Sequence, residues 1–206
     1  MTTGNREVVL QSLFPEPVGF FKLNRALTDV ENSFLVNQTT RGNIGNLTSV
    51  DNYILNNPAL FSLRSFLQEC VDAYLRIVYA PKNEITLRFT QSWTNYTKKT
   101  QHHHTHSHPN SFISGVFYVN ADKDTDKIFF FSGKQFLISL TPIEHNIFNS
   151  KDWFFPVNTG DLILFPSSLV HAVDTVTTDS TRISLAFNTF PVGILGDNQG
   201  LTELKL

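Results

Sequence analysis

The chain has 206 residues, a net charge of −2, 41% apolar residues and only 17% charged ones. That length suits a single domain with one sizeable core, residues 1–206, and the charge balance argues against a nucleic-acid or anionic-membrane partner. No apolar run is long enough to cross a bilayer, the polar start MTTGNREVVL lacks a secretory core, and the single cysteine, Cys70, excludes an internal disulfide, so a cytoplasmic protein is expected.

The first third, about residues 1–83, reads as a helical flank. LTDVENSFLVNQ (27–38) opens with Thr28 at an N-cap position and Glu31 three residues later, the pattern of a capping box. PALFSLRSFLQECVDAYLRIVY (58–79) carries Leu60, Leu63, Phe66, Leu67, Val71, Leu75 and Val78 at steps of three and four, which predicts a helix ended by Pro81. From about residue 84 the period changes to two. EITLRFTQSW, SFISGVFYVN, KIFFFSG, FLISL, DLILFPS and TRISLAFNTF are short, rich in β-branched and aromatic residues, and separated by turn signals. Helices followed by many short strands predict a mainly β sandwich or barrel over about 84–192 with a helical flank and a tail at 193–206. The 19 phenylalanines supply ample core volume.

QHHHTHSHPNS (101–111) holds five of the seven histidines: His102, His103, His104, His106 and His108. A tag remnant, a solvated tract, a pH switch and a metal site all compete for it. Its mid-chain position, interrupted by Thr105 and Ser107, argues against a tag. In an extended chain, alternation puts His104, His106 and His108 on one face and turns His103 away. His102 shares the face of His104 but lies too far back to reach the same ion. Two imidazoles spaced by two can reach one metal ion, and Pro109 should end the strand there.

A third ligand must then come from His145 or His171. His145 sits in a loop-like stretch, TPIEHNIF. His171 sits in GDLILFPSSLVHAV, among apolar residues, where a core histidine is the competing reading. Ten residues intervene before Arg182, which opens the apolar strand RISLAFN. A buried guanidinium needs an anionic partner, and its planar fork suits a carboxylate. Ser184, two residues on, shares that strand face. A metal with open positions beside a carboxylate pocket fits a non-haem iron oxygenase.

HSHPNSFISGVFYV (106–119), with LFPEPVGFFKL, QSWTNY, GDLILFPSSLVHAV and RISLAFN, resembles the Fe(II)/2-oxoglutarate-dependent oxygenases, and more narrowly the small oxygenases of phages and bacteria that carry a His-x-His-Pro-Asn-Ser motif. The resemblance implies a double-stranded β-helix, a jelly-roll of cupin-like form. It implies Fe(II) as metal, 2-oxoglutarate as cosubstrate and O2 as oxidant, in a hydroxylase that couples conversion of 2-oxoglutarate to succinate with oxidation of a substrate. His106 matches the first metal ligand and His171 the distal one. Arg182 matches the residue that binds the far carboxylate of 2-oxoglutarate, with Ser184 its helper. Tyr118 matches a position that contacts 2-oxoglutarate in several relatives. His108 stands where the superfamily keeps Asp or Glu. It can ligate, giving a three-histidine site; it can stand aside for water or a halide; or the pair can be His104 and His106. The good affinity of imidazole for Fe(II) favours the first.

A cupin-like metal-binding jelly-roll without 2-oxoglutarate, or a structural jelly-roll, are the rival readings. The substrate, a peptide or protein side chain or a small metabolite, is not legible. RGNIGNLTSVDN (41–52) and EHNIFNSKDW (144–153) are the expected specificity segments. IFFFSG and Trp93 are candidates for a dry wall around the site.

Overall fold

The computed structural model describes residues 8–133 and 138–206. Thr28 caps helix α1 (Asp29–Val36): its Oγ1 accepts from the Glu31 amide at 3.2 Å, and the Glu31 carboxylate accepts from the Thr28 amide at 2.8 Å. This is the expected capping box. Helix α2 (Phe61–Tyr74) begins from a single 3₁₀ turn at Pro58–Leu60 and runs into a π-helical turn at Leu75–Tyr79, which a left-handed Ala80 closes. The apolar stripe of α2 is buried through Leu63, Leu67 and Val71.

The strands are β1 (Gly19–Lys22), β2 (Thr40–Gly42), β3 (Leu47–Ser49), β4 (Ile85–Thr97), β5 (His103–His106), β6 (Ile113–Asn120), β7 (Lys127–Phe131), β8 (Asp152–Pro156), β9 (Asp161–Pro166), β10 (His171–Val173), β11 (Arg182–Leu195) and β12 (Leu204–Lys205). They form two antiparallel sheets. The larger runs β1-β9-β6-β11-β4-β3-β2, with β12 also on β11; the smaller runs β5-β10-β7-β8. This is the expected mainly β jelly-roll. Three short strands from the N-terminal part, β1, β2 and β3, extend the larger sheet beyond what periodicity indicated. Of the expected FLISL strand (136–140), Phe136 and Leu137 lie outside the described residues, and 138–140 form no strand. The second strand of that region is β8, which overlaps the expected specificity segment 144–153 at Asp152 and Trp153 and was not expected as a strand.

Period-two alternation separates two cores. On β6, β9 and β11, Phe117, Val119, Leu162, Leu164, Ile183, Leu185 and Phe187 pack towards the helices with Leu63 and Leu67. The intervening Val116, Tyr118, Ile163 and Phe165 pack towards the small sheet, against Ile128 and Phe130. Each fully buried side chain of this size contributes about 1.5–3 kcal/mol. On β11 the residues out of phase with the helix-facing set are Arg182, Ser184 and Ala186, so the expected anion-binding pair is carried on the face opposite the helices.

Gly115 explains one part of the SFISGVFYV strand. It lies opposite both Phe187 and Leu164, and a Cβ there would fall onto the Phe187 ring and 2.8 Å from a Leu164 methyl. Gly115→Ala is therefore expected to overpack this layer and cost about 1–3 kcal/mol. A lowered denaturant midpoint with an unchanged slope checks it.

Candidate metal centre

Three elements bring histidines together. His106 ends β5, and its antiparallel partner on β10 is His171. Directly opposed strand residues have adjacent side chains, and the two ring centroids are 4.4 Å apart. His108 lies past the end of β5, where its amide donates to the Ser167 carbonyl at 2.9 Å. Its ring centroid is 4.9 Å from that of His106 and 5.1 Å from that of His171. One ring nitrogen from each of the three lies within 4.8 Å of the others.

The sequence around His108 explains its fixed position. Ser111, from the Pro-Asn-Ser turn, is linked to the Ser167 hydroxyl at 2.7 Å, and Ser167 to Ser114 at 2.8 Å; Ser114 donates to Asn188 Oδ1 at 2.8 Å. These small polar groups tie the turn to β6, to β11 and to the turn that follows β9.

Tautomers follow from the hydrogen bonds. His171 Nδ1 lies 3.0 Å from the Leu169 carbonyl and His106 Nδ1 lies 2.8 Å from the His104 carbonyl. A carbonyl only accepts, so both Nδ1 atoms carry the proton and both Nε2 atoms keep a free lone pair. Such a backbone anchor is the usual support of a ligating histidine. Burial lowers all three imidazole pKa values: His106 is lowered with the His104 carbonyl opposing the shift, His108 is pushed down to about 3, and His171 to about 4. The rings are thus neutral near pH 7, the state that ligates a metal. Phe165 and Phe130 flank His171, with centroids 4.7 and 6.2 Å away, and Trp93 flanks His108 at 5.8 Å. Phe130 belongs to IFFFSG, so both expected apolar walls adjoin the histidines.

A stability prediction follows from these shifts. For the metal-free protein, the unfolded histidines take up protons below about pH 6.5, whereas the folded ones resist until about pH 4 for His171 and about pH 3 for His108. The unfolded state then binds more protons, so stability is full above about pH 6.5 and falls as the pH drops through that window. Denaturant midpoints measured from pH 7.5 to 4 check this, with H108N/H171N expected to flatten the slope.

The second part of the site lies on β11. Arg182 is 4% exposed, its Nε has no hydrogen-bond partner, and among the described residues no carboxylate lies within ion-pair distance. Its guanidinium sits over the Tyr118 ring, 5.2 Å from the centroid. The Tyr118 hydroxyl is fully buried and, apart from the Arg182 guanidinium it faces, has no hydrogen-bond partner among the described residues. Burial raises the phenol's pKa, opposed by the neighbouring Arg182 charge. Ser184 is buried and stands opposite Tyr118 on β6. An uncompensated buried cation costs several kcal/mol, and the arrangement fits a carboxylate ligand that would satisfy Arg182 and Tyr118 together. The electrostatic reach of Arg182 extends to His103, which ties this pocket to the histidine cluster.

One expectation fails. His103 was expected to face away from the other histidines, yet its ring stacks on that of His106 at 4.6 Å, and it forms a second cluster with His104 and His106. The cause is a bulge: Val173 pairs with His103 and His171 with His106, so Ala172 faces two residues and the period-two phase is broken. His102 is exposed, with its amide bonded to the Gly45 carbonyl, and His145 lies in an exposed turn. The second cluster opens onto a cleft of about 240 Å³, whose polar lining includes Arg41, Asn43, Asn52 and Gln91. Three of these four belong to the 41–52 segment expected to set specificity.

The fold is a two-sheet antiparallel jelly-roll in which three imidazoles converge and an arginine is buried with no carboxylate in ion-pair distance among the described residues. Residues 91–188 match the family model described as "Putative 2OG-Fe(II) oxygenase". The family's metal is Fe(II), its cosubstrate 2-oxoglutarate and its oxidant O2. No curated protein matches the chain. Among solved structures, HygX from Streptomyces hygroscopicus, with nickel, 2-oxoglutarate and hygromycin B bound, is 14% identical, with a TM-score of 0.57 over 84% of this chain and 82% of that one. A 2OG-Fe(II) oxygenase family oxidoreductase from Burkholderia pseudomallei is 13% identical, with a TM-score of 0.55 over 77% and 74%. SnoN, a non-heme α-ketoglutarate-dependent epimerase of nogalamycin biosynthesis, is 13% identical, with a TM-score of 0.56 over 85% and 78%. At these identities the likeness is one of fold. No helix among the described residues is long and apolar enough to cross a membrane.

Proposed function

We propose that the protein is an Fe(II)- and 2-oxoglutarate-dependent hydroxylase of a small polar substrate, with His106, His108 and His171 as the metal ligands. Arg182, Ser184 and Tyr118 hold the far carboxylate of 2-oxoglutarate. The observation that carries this reading is the pairing of three converging neutral imidazoles with a buried, unpartnered Arg182. A structural jelly-roll has no use for either feature, and a metal-binding module without 2-oxoglutarate has no use for the second.

The chain's own residues would act as follows. His106 and His171 present Nε2 lone pairs held by backbone carbonyls, and His108 completes a facial set from the turn. Three neutral ligands leave the centre one charge more positive than a set containing a carboxylate, which favours an anionic cosubstrate. Arg182 pairs with the carboxylate, the Tyr118 hydroxyl and Ser184 donate to it, and Phe130 and Phe165 exclude water around His171. When bound, Fe(II) and 2-oxoglutarate supply the oxidative decarboxylation to succinate and CO2 that activates O2 for insertion into a substrate C–H bond.

The cleft beside the histidines is polar and small. Together with the charge balance it supports a small molecule or single side chain over a nucleic acid. HygX with hygromycin B bound and the nogalamycin epimerase SnoN, which share the fold, add support for a small-molecule substrate.

The test is incubation of the protein with Fe(II), O2 and 2-oxoglutarate. Succinate above an iron-free blank is expected. A folded, iron-loaded sample that forms no succinate and binds no 2-oxoglutarate sinks the reading.

A further inference from the structure

Beyond the triad assigned above, His103, His104 and His106 form a second constellation, in which one ring nitrogen from each again lies within 4.8 Å of the others. We infer that this second triad is an alternative divalent-metal site that shares His106 with the first, so that the chain holds one ion in either of two adjacent positions.

Four observations lead there. The bulge opposite Ala172 turns His103 onto the side of His106, which regular alternation would not do. The three rings pack together, with centroids 4.6, 4.7 and 5.2 Å apart. His104 Nδ1 is buried and has no hydrogen-bond partner, a lone pair or proton left without a use in the protein alone. Finally, all three side chains line the open cleft, as His108 does, whereas His171 is buried and does not.

The two positions exclude each other for a chemical reason. His106 Nδ1 is bonded to the His104 carbonyl, so this ring has a single lone pair to give, on Nε2. An ion held by His103, His104 and His106 therefore takes that lone pair away from the inner set, and the reverse. Metal–imidazole bonds of about 2.0–2.1 Å need the nitrogens somewhat closer than 4.8 Å in both triads, and modest side-chain rotations bring either set, but not both, onto an ion. The asymmetry of exposure gives the outer position a role. An ion in the cleft can be held by His103 and His104 with His106, and His106 can then pass it inward to the side of His171. All donors are imidazole nitrogens, which suits a borderline divalent ion such as Fe(II), Co(II), Ni(II) or Zn(II).

This inference rests on the first only through His106, and Co(II) binding followed by visible absorption and calorimetry separates them. Wild type is expected to bind about one Co(II) per chain. H108N/H171N, with conservative replacements in the inner set, is expected to keep about one Co(II), bound at least about tenfold more weakly and with an altered spectrum. H103N/H104N is expected to keep the wild-type affinity but to load more slowly, and H106N to bind none at either position. If H108N/H171N, folded by circular dichroism, binds no ion while wild type does, the outer site is overturned and the inner triad stands. If H103N/H104N loses the ion and H108N/H171N keeps wild-type binding, the outer triad is the sole metal site and the inner assignment falls. Should H108N/H171N not fold, the loading rate of H103N/H104N decides: a rate equal to wild type, with an identical spectrum throughout, overturns the proposal.

Discussion

His106→Asn is expected to remove metal binding and 2-oxoglutarate turnover together, with succinate formation falling to about one thousandth of wild type or less. His106 is the only residue common to both histidine sets, and it is placed directly opposite His171 by strand pairing. Its Nδ1 bond to the His104 carbonyl already fixes the tautomer and ring direction, so asparagine cannot present an equivalent nitrogen at the same depth. The fold should survive, because His106 is half-buried at a strand end and is not part of either apolar core. Metal content by atomic absorption and succinate by chromatography check the two losses, and circular dichroism checks the fold. A variant that lost turnover while keeping a full equivalent of tightly bound metal would contradict the ligand assignment. His108→Asp is the informative companion. It restores the carboxylate that the wider superfamily keeps, so it should retain metal while weakening the hold on 2-oxoglutarate, since the centre loses one positive charge.

Arg182→Met should act in two opposite directions. Affinity for 2-oxoglutarate is expected to fall by about 10²–10³-fold, the cost of removing one side of a buried charge pair. The stability of the ligand-free protein is expected to rise, because the guanidinium is buried without a carboxylate partner and methionine fills similar space without a desolvation cost. Ser184→Ala, which would remove one charge-assisted hydrogen bond to the proposed carboxylate, should cost about tenfold in affinity. Calorimetric titration with 2-oxoglutarate and chemical denaturation check the pair of signs. If Arg182→Met instead destabilised the ligand-free fold, the residue would have a structural partner and the anion pocket would lose its main support.

Much of this was legible in the sequence because local physics and tertiary structure agree there. The Thr28–Glu31 box, the apolar stripe of α2 and the alternation of β6, β9 and β11 all follow from spacing alone. The same alternation puts Arg182 and Ser184 on the face away from the helices. His106 and His171 were accessible as a converging pair because one lies in phase on a stretch that a proline three residues on brings to an end and the other follows a turn after an apolar strand. What escaped depends on pairing. The strands β1, β2 and β3 are three or four residues long and gain their identity only from neighbours in the larger sheet. β8 is largely exposed, paired only with β7, and carries no buried alternation to betray it. The approach of His103 depends on a bulge in the β5–β10 pair, which no property of HHHTHSH specifies. Its partner strand, only three residues long, imposes it.

The most direct measurement is a crystal structure with Ni(II), a redox-inert stand-in for Fe(II), and 2-oxoglutarate bound. The account predicts the metal on His106 Nε2, His171 Nε2 and a ring nitrogen of His108, with the far carboxylate of 2-oxoglutarate on Arg182 and within hydrogen-bonding distance of the Tyr118 hydroxyl and Ser184. Metal bound away from His171, or a 2-oxoglutarate carboxylate that leaves Arg182 unpaired, would contradict it.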